Sequence, residues 1–395
     1  MHYDSHAVSG TVTQTQIEGL PLNGRSFLDL AKLEPGAQPP SRTNSNRMLV
    51  PVLGAPGVNV GGASFTVDGG SITSVGVGGS QMGLSQEVVQ EFQLSTVNFD
   101  LSTGMALAGG VNVVTRSGGN DLHGTAFYFF RDHKLAAYPA LERDPTNPDP
   151  FFQRRQFGFA LGGPIRRDRV FFFGNWERNE QRGVIDTNLL SLDFAQFSRV
   201  TPSPTFGDLV SFRLDGRISN MHTAFVRYSH DGSRTVGPIT FATNAIGPNN
   251  GYPSTWSRQP AWADQSLMGL TSVLRPTLVN ELRFSYFFIS SSVVPASEQE
   301  CPGCLGVGAP GISIAQAGFY IGQSTVGLNL GRRFQFNDSL TLQRGPHRAR
   351  FGLDWEHSRG GMLALEERAG HHVAFLTRPG TASQYRDTSV IPIAE

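Results

Sequence analysis

Residues Gln90 to Leu135 read QEFQLSTVNFDLSTGMALAGGVNVVTRSGGNDLHGTAFYFFRDHKL, and after a spacer Arg154 to Asn179 read RRQFGFALGGPIRRDRVFFFGNWERN. Two textures meet in this stretch. Gly109 to Arg116 is a Gly-punctuated segment rich in β-formers, closed by Ser117-Gly118-Gly119-Asn120. Beyond it come aromatic strands joined by tight polar turns, and that texture continues to the end of the patterned sequence.

Downstream of Asp121 the apolar residues alternate with period two, the signature of a strand with one apolar and one polar face. Val210, Phe212 and Leu214 alternate with Ser211, Arg213 and Asp215; Ala224, Val226 and Tyr228 with Thr223, Arg227 and Ser229. Leu282, Phe284, Tyr286 and Phe288 alternate with Glu281, Arg283 and Ser285. Phe334, Phe336, Leu340 and Leu342 alternate with Arg333, Gln335, Ser339 and Thr341, and Phe351, Leu353 and Trp355 with Arg350, Asp354 and Glu356. The spacing predicts strands of about 9–11 residues, the length that crosses a bilayer when tilted. Short turns (Arg166–Arg169, Ser219–His222, Arg344–His347) alternate with long Gly/Pro/Asn-rich loops (Leu135–Phe152, Asn179–Phe206, Asp231–Trp262, Ser290–Gly331), and aromatics sit near strand ends, as in membrane barrels. The apolar set predicts a lipid-facing surface; Arg213, Asp215, Arg217, Arg227, Arg283, Arg333, Arg348, Arg350, Asp354 and Glu356 predict a polar interior. The fold class expected is mainly β: an incomplete antiparallel transmembrane barrel of about nine or ten strands with an N-terminal α+β unit.

Upstream the pattern is mixed. Thr11–Thr15 predicts a strand, Ile17–Leu20 a turn of helix, and Arg25–Leu33 a helix stopped by Pro35-Gly36. Ser64–Asp68 predicts a strand turned by Asp68-Gly69-Gly70, and Ser85 caps a predicted helix over Gln86–Phe92.

Composition excludes several functions. Lys plus Arg and Asp plus Glu each number 32, so no charge excess points to nucleic acid. No apolar run reaches the roughly 18 residues a spanning helix needs, which leaves a closed barrel as the membrane option. The first residues, MHYDSHAVSGTVTQ, lack the basic and apolar regions of a signal peptide, so the true start is expected upstream of Met1. Cys301-Pro302-Gly303-Cys304 has no second Cys pair to complete a zinc set and no βαβ context for redox work; it reads as a short loop disulfide from an oxidising compartment. His371-His372 near Glu366-Glu367 matches no metal spacing, Val77–Met82 lacks the last Gly of a nucleophile elbow, and no phosphate-binding Gly loop is present. Neither a catalytic constellation nor a cofactor or metal site is expected.

Several motifs carry a family resemblance: Leu20-Pro21-Leu22-Asn23-Gly24-Arg25 with Phe27, Leu33-Glu34-Pro35-Gly36, Glu87–Phe92, Val111–Gly118, Phe157-Gly158, Gly162-Gly163-Pro164-Ile165 and Phe171-Phe172-Phe173-Gly174. Together they resemble the Oar-like group of TonB-dependent outer-membrane receptors. Asp100–Gly104 departs from that group, which often has an acidic-Tyr-Gly-Arg stretch there. The resemblance implies an N-terminally truncated plug domain at 1–117 and a partial outer-membrane barrel at 118–395. Receptors of this kind close with about 22 strands, so a fragment of a longer product is expected. It further implies the cell outer membrane, energised uptake, outer-membrane lipid around the barrel, a TonB-type energising protein acting through an N-terminal region absent here, and an unidentified extracellular ligand. The polar loop Ser41–Arg47 would rise toward the extracellular mouth, where Arg42, Asn44, Asn46 and Arg47 offer donors to a ligand. The competing readings are a non-transporting structural or adhesive barrel and a secreted carbohydrate-binding β-protein.

Overall fold

A computed structural model describes residues 8–20, 22, 24–25, 28, 30, 41–43, 48–50, 64–73, 80, 82–97, 110–135, 149–187, 196, 198–238, 252–309, 311–314, 319–322 and 326–365. Its first part contains β1 (Val8–Thr13), α1 (Gln14–Gly19), the small hairpin β2 (Ser41–Thr43) and β3 (Met48–Val50), then β4 (Ser64–Val67), β5 (Gly70–Ser71), β6 (Val89–Val97) and β7 (Gly110–Thr115). Five of these form one inner sheet in the order β1-β6-β7-β4-β5, with β4 and β7 parallel and the other pairs antiparallel.

The second part is a meander. Its strands are β8 (His123–Asp132), β9 (Phe152–Arg166), β10 (Val170–Thr187), β11 (Arg199–Pro202), β12 (Thr205–Arg217), β13 (His222–Gly237), β14 (Ser257–Arg275), β15 (Leu278–Pro295), β16 (Ile312–Ile314), β17 (Phe319–Ile321), β18 (Val326–Arg344) and β19 (His347–Leu365). Apart from the β16–β17 hairpin, they build one ten-stranded antiparallel wall, β8-β9-β10-β12-β13-β14-β15-β18-β19, with β11 added against β10. The wall does not close: β8 and β19 are its edges. Among the described residues no helix is long and apolar enough to cross a membrane; the long elements are strands.

The inner sheet covers one face of the wall. Its own core, with Val12, Ile17, Phe65, Val67, Phe92, Leu94, Val111 and Val113 buried, reaches the wall at Ala263, Phe287 and Ile289. Burying each of the larger of these side chains contributes about 1.5–3 kcal/mol. The opposite face of the wall is apolar and exposed: Phe212, Val226, Phe284, Phe334, Phe351 and Trp355 all lie there, with Tyr128, Phe159 and Met268. A continuous apolar face of this extent marks contact with a partner or a membrane.

The alternation of the large strands therefore resolves as predicted, with two differences of length. Wall strands reach 18 and 19 residues, as in β10, β14, β15, β18 and β19. Three of the predicted long loops are shorter in consequence, because pairing continues through Gly- and Ser-rich segments such as Asp231–Gly237, where neither face is clearly apolar; β9 begins at Phe152, where the loop from Leu135 was predicted to end. The turn between Arg275 and Leu278 joins β14 to β15. In the inner sheet, Ser85 does cap a turn, its Oγ accepting from the Glu87 amide, but the turn is 3₁₀, ends at Val88 and gives way to β6. Phe92 and Leu94 are buried while Gln93 is exposed, so strand periodicity prevails over the helical reading there. Of the predicted helix Arg25–Leu33, only Arg25, Leu28 and Leu30 are described, with both leucines buried in 3₁₀ conformation.

Candidate functional site

The site that joins the two sheets is built around the β4–β5 turn. Asp68 and Gly69 both have positive φ, 50° and 86°, a tight reversal that Asp tolerates and Gly favours. Asp68 accepts hydrogen bonds from the Thr115 amide (2.9 Å) and the Thr115 hydroxyl (2.7 Å), which fixes its carboxylate against β7. From that position it faces the wall, where Arg227 Nε lies 2.9 Å and Arg213 Nη1 3.4 Å from its oxygens.

Each succeeding residue of the turn is also held. The Arg283 stem passes close over Gly69. Gln265 Nε2 donates to the Gly70 carbonyl (3.1 Å), and a Cβ added at Gly70 would stand 2.8 Å from that nitrogen. The Ser71 amide donates to Gln335 (2.9 Å) and Arg333 donates to the Ser71 hydroxyl (2.8 Å). Arginines from β12, β13, β15 and β18, together with Gln265 and Gln335, thus converge on the four-residue stretch Asp68–Ser71. Arg227 is the most enclosed, 1 % exposed, and also donates to Gln265 Oε1 (2.6 Å), Ser229 Oγ (2.7 Å) and the Val67 carbonyl (3.3 Å).

A second clasp lies at Gly24-Arg25, where positive φ at both residues (85° and 57°) turns the chain toward the wall. Arg25 pairs with Glu87 (2.6 Å), stacks over Phe127 (4.0 Å to the ring) and lies 3.9 Å from Glu177 of β10. Glu177 is buried and accepts from Ser85 Oγ and from Gln156 Nε2 (2.6 Å). A third contact runs from the Gly83 amide to Asp231 (2.6 Å). Between these clasps is a cavity of about 120 Å³ lined by Arg25, Met82, Glu177, Asn179, Asp231 and Ser233, among others. Asn179 Oδ1 and Ser233 Oγ have no protein hydrogen-bond partner among the described residues, which suits a hydrated space. Away from the wall, the Glu18 carboxyl is held below its usual range, first by the Gln14 side-chain hydrogen bond and then, against partial burial, by Arg116.

The structure brings together some of the sequence-predicted residues and not others. Arg213, Asp215, Arg227, Arg283, Arg333 and Glu356 gather around the turn or pair beside it, while Arg350 donates to Ser339 on the wall itself. Arg42 lies in β2, paired with Leu49 across the hairpin. Asn44, Asn46 and Arg47 lie outside the described residues, as do His371-His372 and Glu366-Glu367. Cys301 and Cys304 are joined across a turn with Cα atoms 5.6 Å apart, and both are buried within the loop. Arg199 donates to the Pro302 carbonyl (3.1 Å), and Leu305 to the Tyr252 hydroxyl (3.4 Å), so the cystine turn is tied to the start of β11 and to the segment before β14. Among the described residues no three His, Cys, Asp or Glu side chains gather as metal ligands.

A family described as "Outer membrane beta barrel domain" matches residues 114–192 and 185–384, most of the chain and all of the large wall. The chain belongs to this outer-membrane β-barrel family. Its location is accordingly the outer membrane, and the exposed apolar face is the lipid face. The TonB-dependent transporter Oar of Myxococcus xanthus is 32 % identical over 232 residues, covering 56 % of this chain and 20 % of the relative. Among solved structures, the outer-membrane transporter YddB of Escherichia coli superposes with a TM-score of 0.66 at 12 % identity, over 90 % of this chain and 48 % of that one. The siderophore receptor PirA of Pseudomonas aeruginosa gives 0.55 at 11 % identity, over 91 % of this chain and 49 % of that one. At such identities the structures establish the fold. The chain spans about a fifth of the curated relative and about half of these solved chains.

Proposed function

We propose that the chain is the plug and first part of the barrel of a TonB-dependent outer-membrane receptor that takes up a ligand by an energised route and performs no catalysis. In this reading residues 1–117 are the plug and 118–395 the partial barrel. The ligand is bound on the extracellular side through the plug loop around Arg42, Asn44, Asn46 and Arg47 together with the long wall loops. A TonB-type partner then pulls on the segment leading into β1.

The observation that carries this reading is the character of the joint between the two sheets. Among the described residues Ala263, Phe287 and Ile289 of the wall enter the inner sheet's apolar core, Val88 packs on Ala160 and Phe173, and Arg25 stacks over Phe127; the other contacts described above are hydrogen bonds and ion pairs. Sheets fused for good bury apolar area against each other, whereas polar contacts can exchange for water when a part moves. The inner sheet keeps its own core while its attachment to the wall is largely polar, with small apolar contacts, as a movable plug requires.

The test is ligand uptake and ligand binding by cells carrying the full-length parent gene, with and without the TonB-type partner. Binding retained and uptake lost on removing the partner is the expected result. Uptake indifferent to the partner overturns energised transport and leaves a passive or adhesive barrel.

A further inference from the structure

Register places Arg213 of β12 directly opposite Arg227 of β13 on the inner face of the wall. Like charges directly opposite each other destabilise a sheet, so the pair needs a counter-charge. Three of the four arginines around the turn have one on the wall: Arg213 pairs with Asp215 (2.8 Å), Arg283 with Glu281 (3.7 Å) and Arg333 with Glu356 (2.7 Å). Arg227 does not. Among the described residues its one ion-pair partner is Asp68, which belongs to the inner sheet.

Withdrawing the β4–β5 turn therefore leaves a specific vacancy on the wall. Arg227 remains with Gln265 and Ser229 holding its guanidinium in place, Arg213 stands opposite, and the carboxylate is gone. A guanidinium that has lost its anion while neutral neighbours still fix its orientation is a preorganised oxyanion site.

We propose that Arg227, with Arg213, is a carboxylate-binding site on the barrel wall, that Asp68 occupies it while the plug is seated, and that the transported solute bears a carboxylate which takes Asp68's place once the turn withdraws. The substrate assignment rests on the transport reading above; the binding site itself does not. The plug turn and the solute compete for one cation, so solute binding at Arg227 opposes reseating of the turn.

The experiment uses the full-length parent in detergent, with no energising partner, and acetate as the probe. Asp68→Gly removes the carboxylate, leaves room for a small anion and suits the positive φ at that position. Acetate should raise the thermal midpoint of this variant in a saturable way, leave the wild type unmoved because Asp68 fills the site, and leave Asp68→Gly/Arg227→Gln unmoved because the cation is gone. Asp68→Ser is read in the same way if the glycine variant does not assemble. No acetate effect in a folded Asp68 variant, or an equal effect with and without Arg227, overturns the site and marks an adventitious ion only. Failure of energised uptake would be seen in the partner-deletion assay alone, so the two readings fail separately.

Discussion

Replacing Arg227 by Met removes the charge while keeping a long side chain in the same space. In the seated state the guanidinium is buried and serves Asp68, Gln265, Ser229 and the Val67 carbonyl. Asp68 keeps Thr115 and the more distant Arg213 (3.4 Å) but loses its nearer cation. Removing one partner of a buried ion pair typically costs about 3–5 kcal/mol where the other charge stays buried without compensation; because Asp68 keeps Arg213 and Thr115, the lower end, about 3 kcal/mol, applies here. At about 1.4 kcal/mol per factor of ten, that is more than a hundredfold in the equilibrium for opening the turn. Asp68→Asn leaves Arg227 stranded and should cost a comparable amount. The double variant strands neither charge, so its cost should fall short of the sum by about 0.5–3 kcal/mol, the range seen for contacting residues. Amide exchange at Ile72 reads the opening, since that amide donates to the Phe65 carbonyl across the hairpin (2.9 Å). Additive effects of the two substitutions on Ile72 exchange in the full-length parent would refute the coupling.

Further outcomes follow from the same geometry. Phe284→Arg places a cation on the lipid face between Met268 and Phe336 and should cost about 2–4 kcal/mol in bilayer unfolding measurements if the site is near the midplane; a cost near zero would put Phe284 on the wrong face. Cys301→Ser should raise protease sensitivity across residues 296–309 and abolish its dependence on reductant, with the wall strands unchanged. Arg42→Ala and Arg47→Ala should each weaken ligand binding by roughly tenfold or more, the scale of one charged hydrogen bond, without altering barrel assembly. The Glu18–Arg116 contact draws on a lowered carboxylate pKa, so its contribution is present above the ordinary carboxylate range and is lost as pH falls through the folded value. With Glu18 half exposed the effect is small, and Arg116→Gln should remove that part of the acid-induced loosening of α1 seen by NMR.

The wall was legible because period-two alternation fixes which side each residue faces. Arg213, Arg227, Arg283 and Arg333 could therefore be assigned to the inner face from sequence. The clasp was not legible, because alternation does not give register. Only register shows Arg213 opposite Arg227, and only the packing of the sheets brings Asp68 to that pair. The Asp68-Gly69 turn was visible as a turn, and the motif containing Arg25 was visible as a motif, yet neither carried a sign of its charged partners, which lie 62 residues or more along the chain. A buried pair of like charges is the signal that could have prompted a search for the missing carboxylate. Strand ends were misread for a different reason: beyond the lipid layer both faces of a pairing strand can be polar, and the pattern fades while the hydrogen bonding continues.

The order of the inner sheet sets the order in which a pull would take it apart. β1 is one edge and β5 the other, with β6, β7 and β4 between them. Force applied to the segment leading into β1 first meets the β1–β6 ladder, held from Ser9–Ser95 to Thr13–Glu91, whereas the arginine clasp grips the far edge at Asp68–Ser71. Peeling β1 exposes one side of Phe92 and Leu94 but leaves β4, β5 and β7 joined to each other and to the wall. The carboxylate at Arg227 should accordingly be the last contact released. Gly10→Pro tests this without any energising partner, because Gly10 sits opposite Leu94 in a hydrogen-bonded position of the ladder and proline there removes a backbone donor to β6. Amides of β6 around Phe92 should then exchange faster while that of Ile72 stays protected. Simultaneous loss of protection at β6 and Ile72 would show that the inner sheet opens as one unit, and the proposed sequence of release would be wrong.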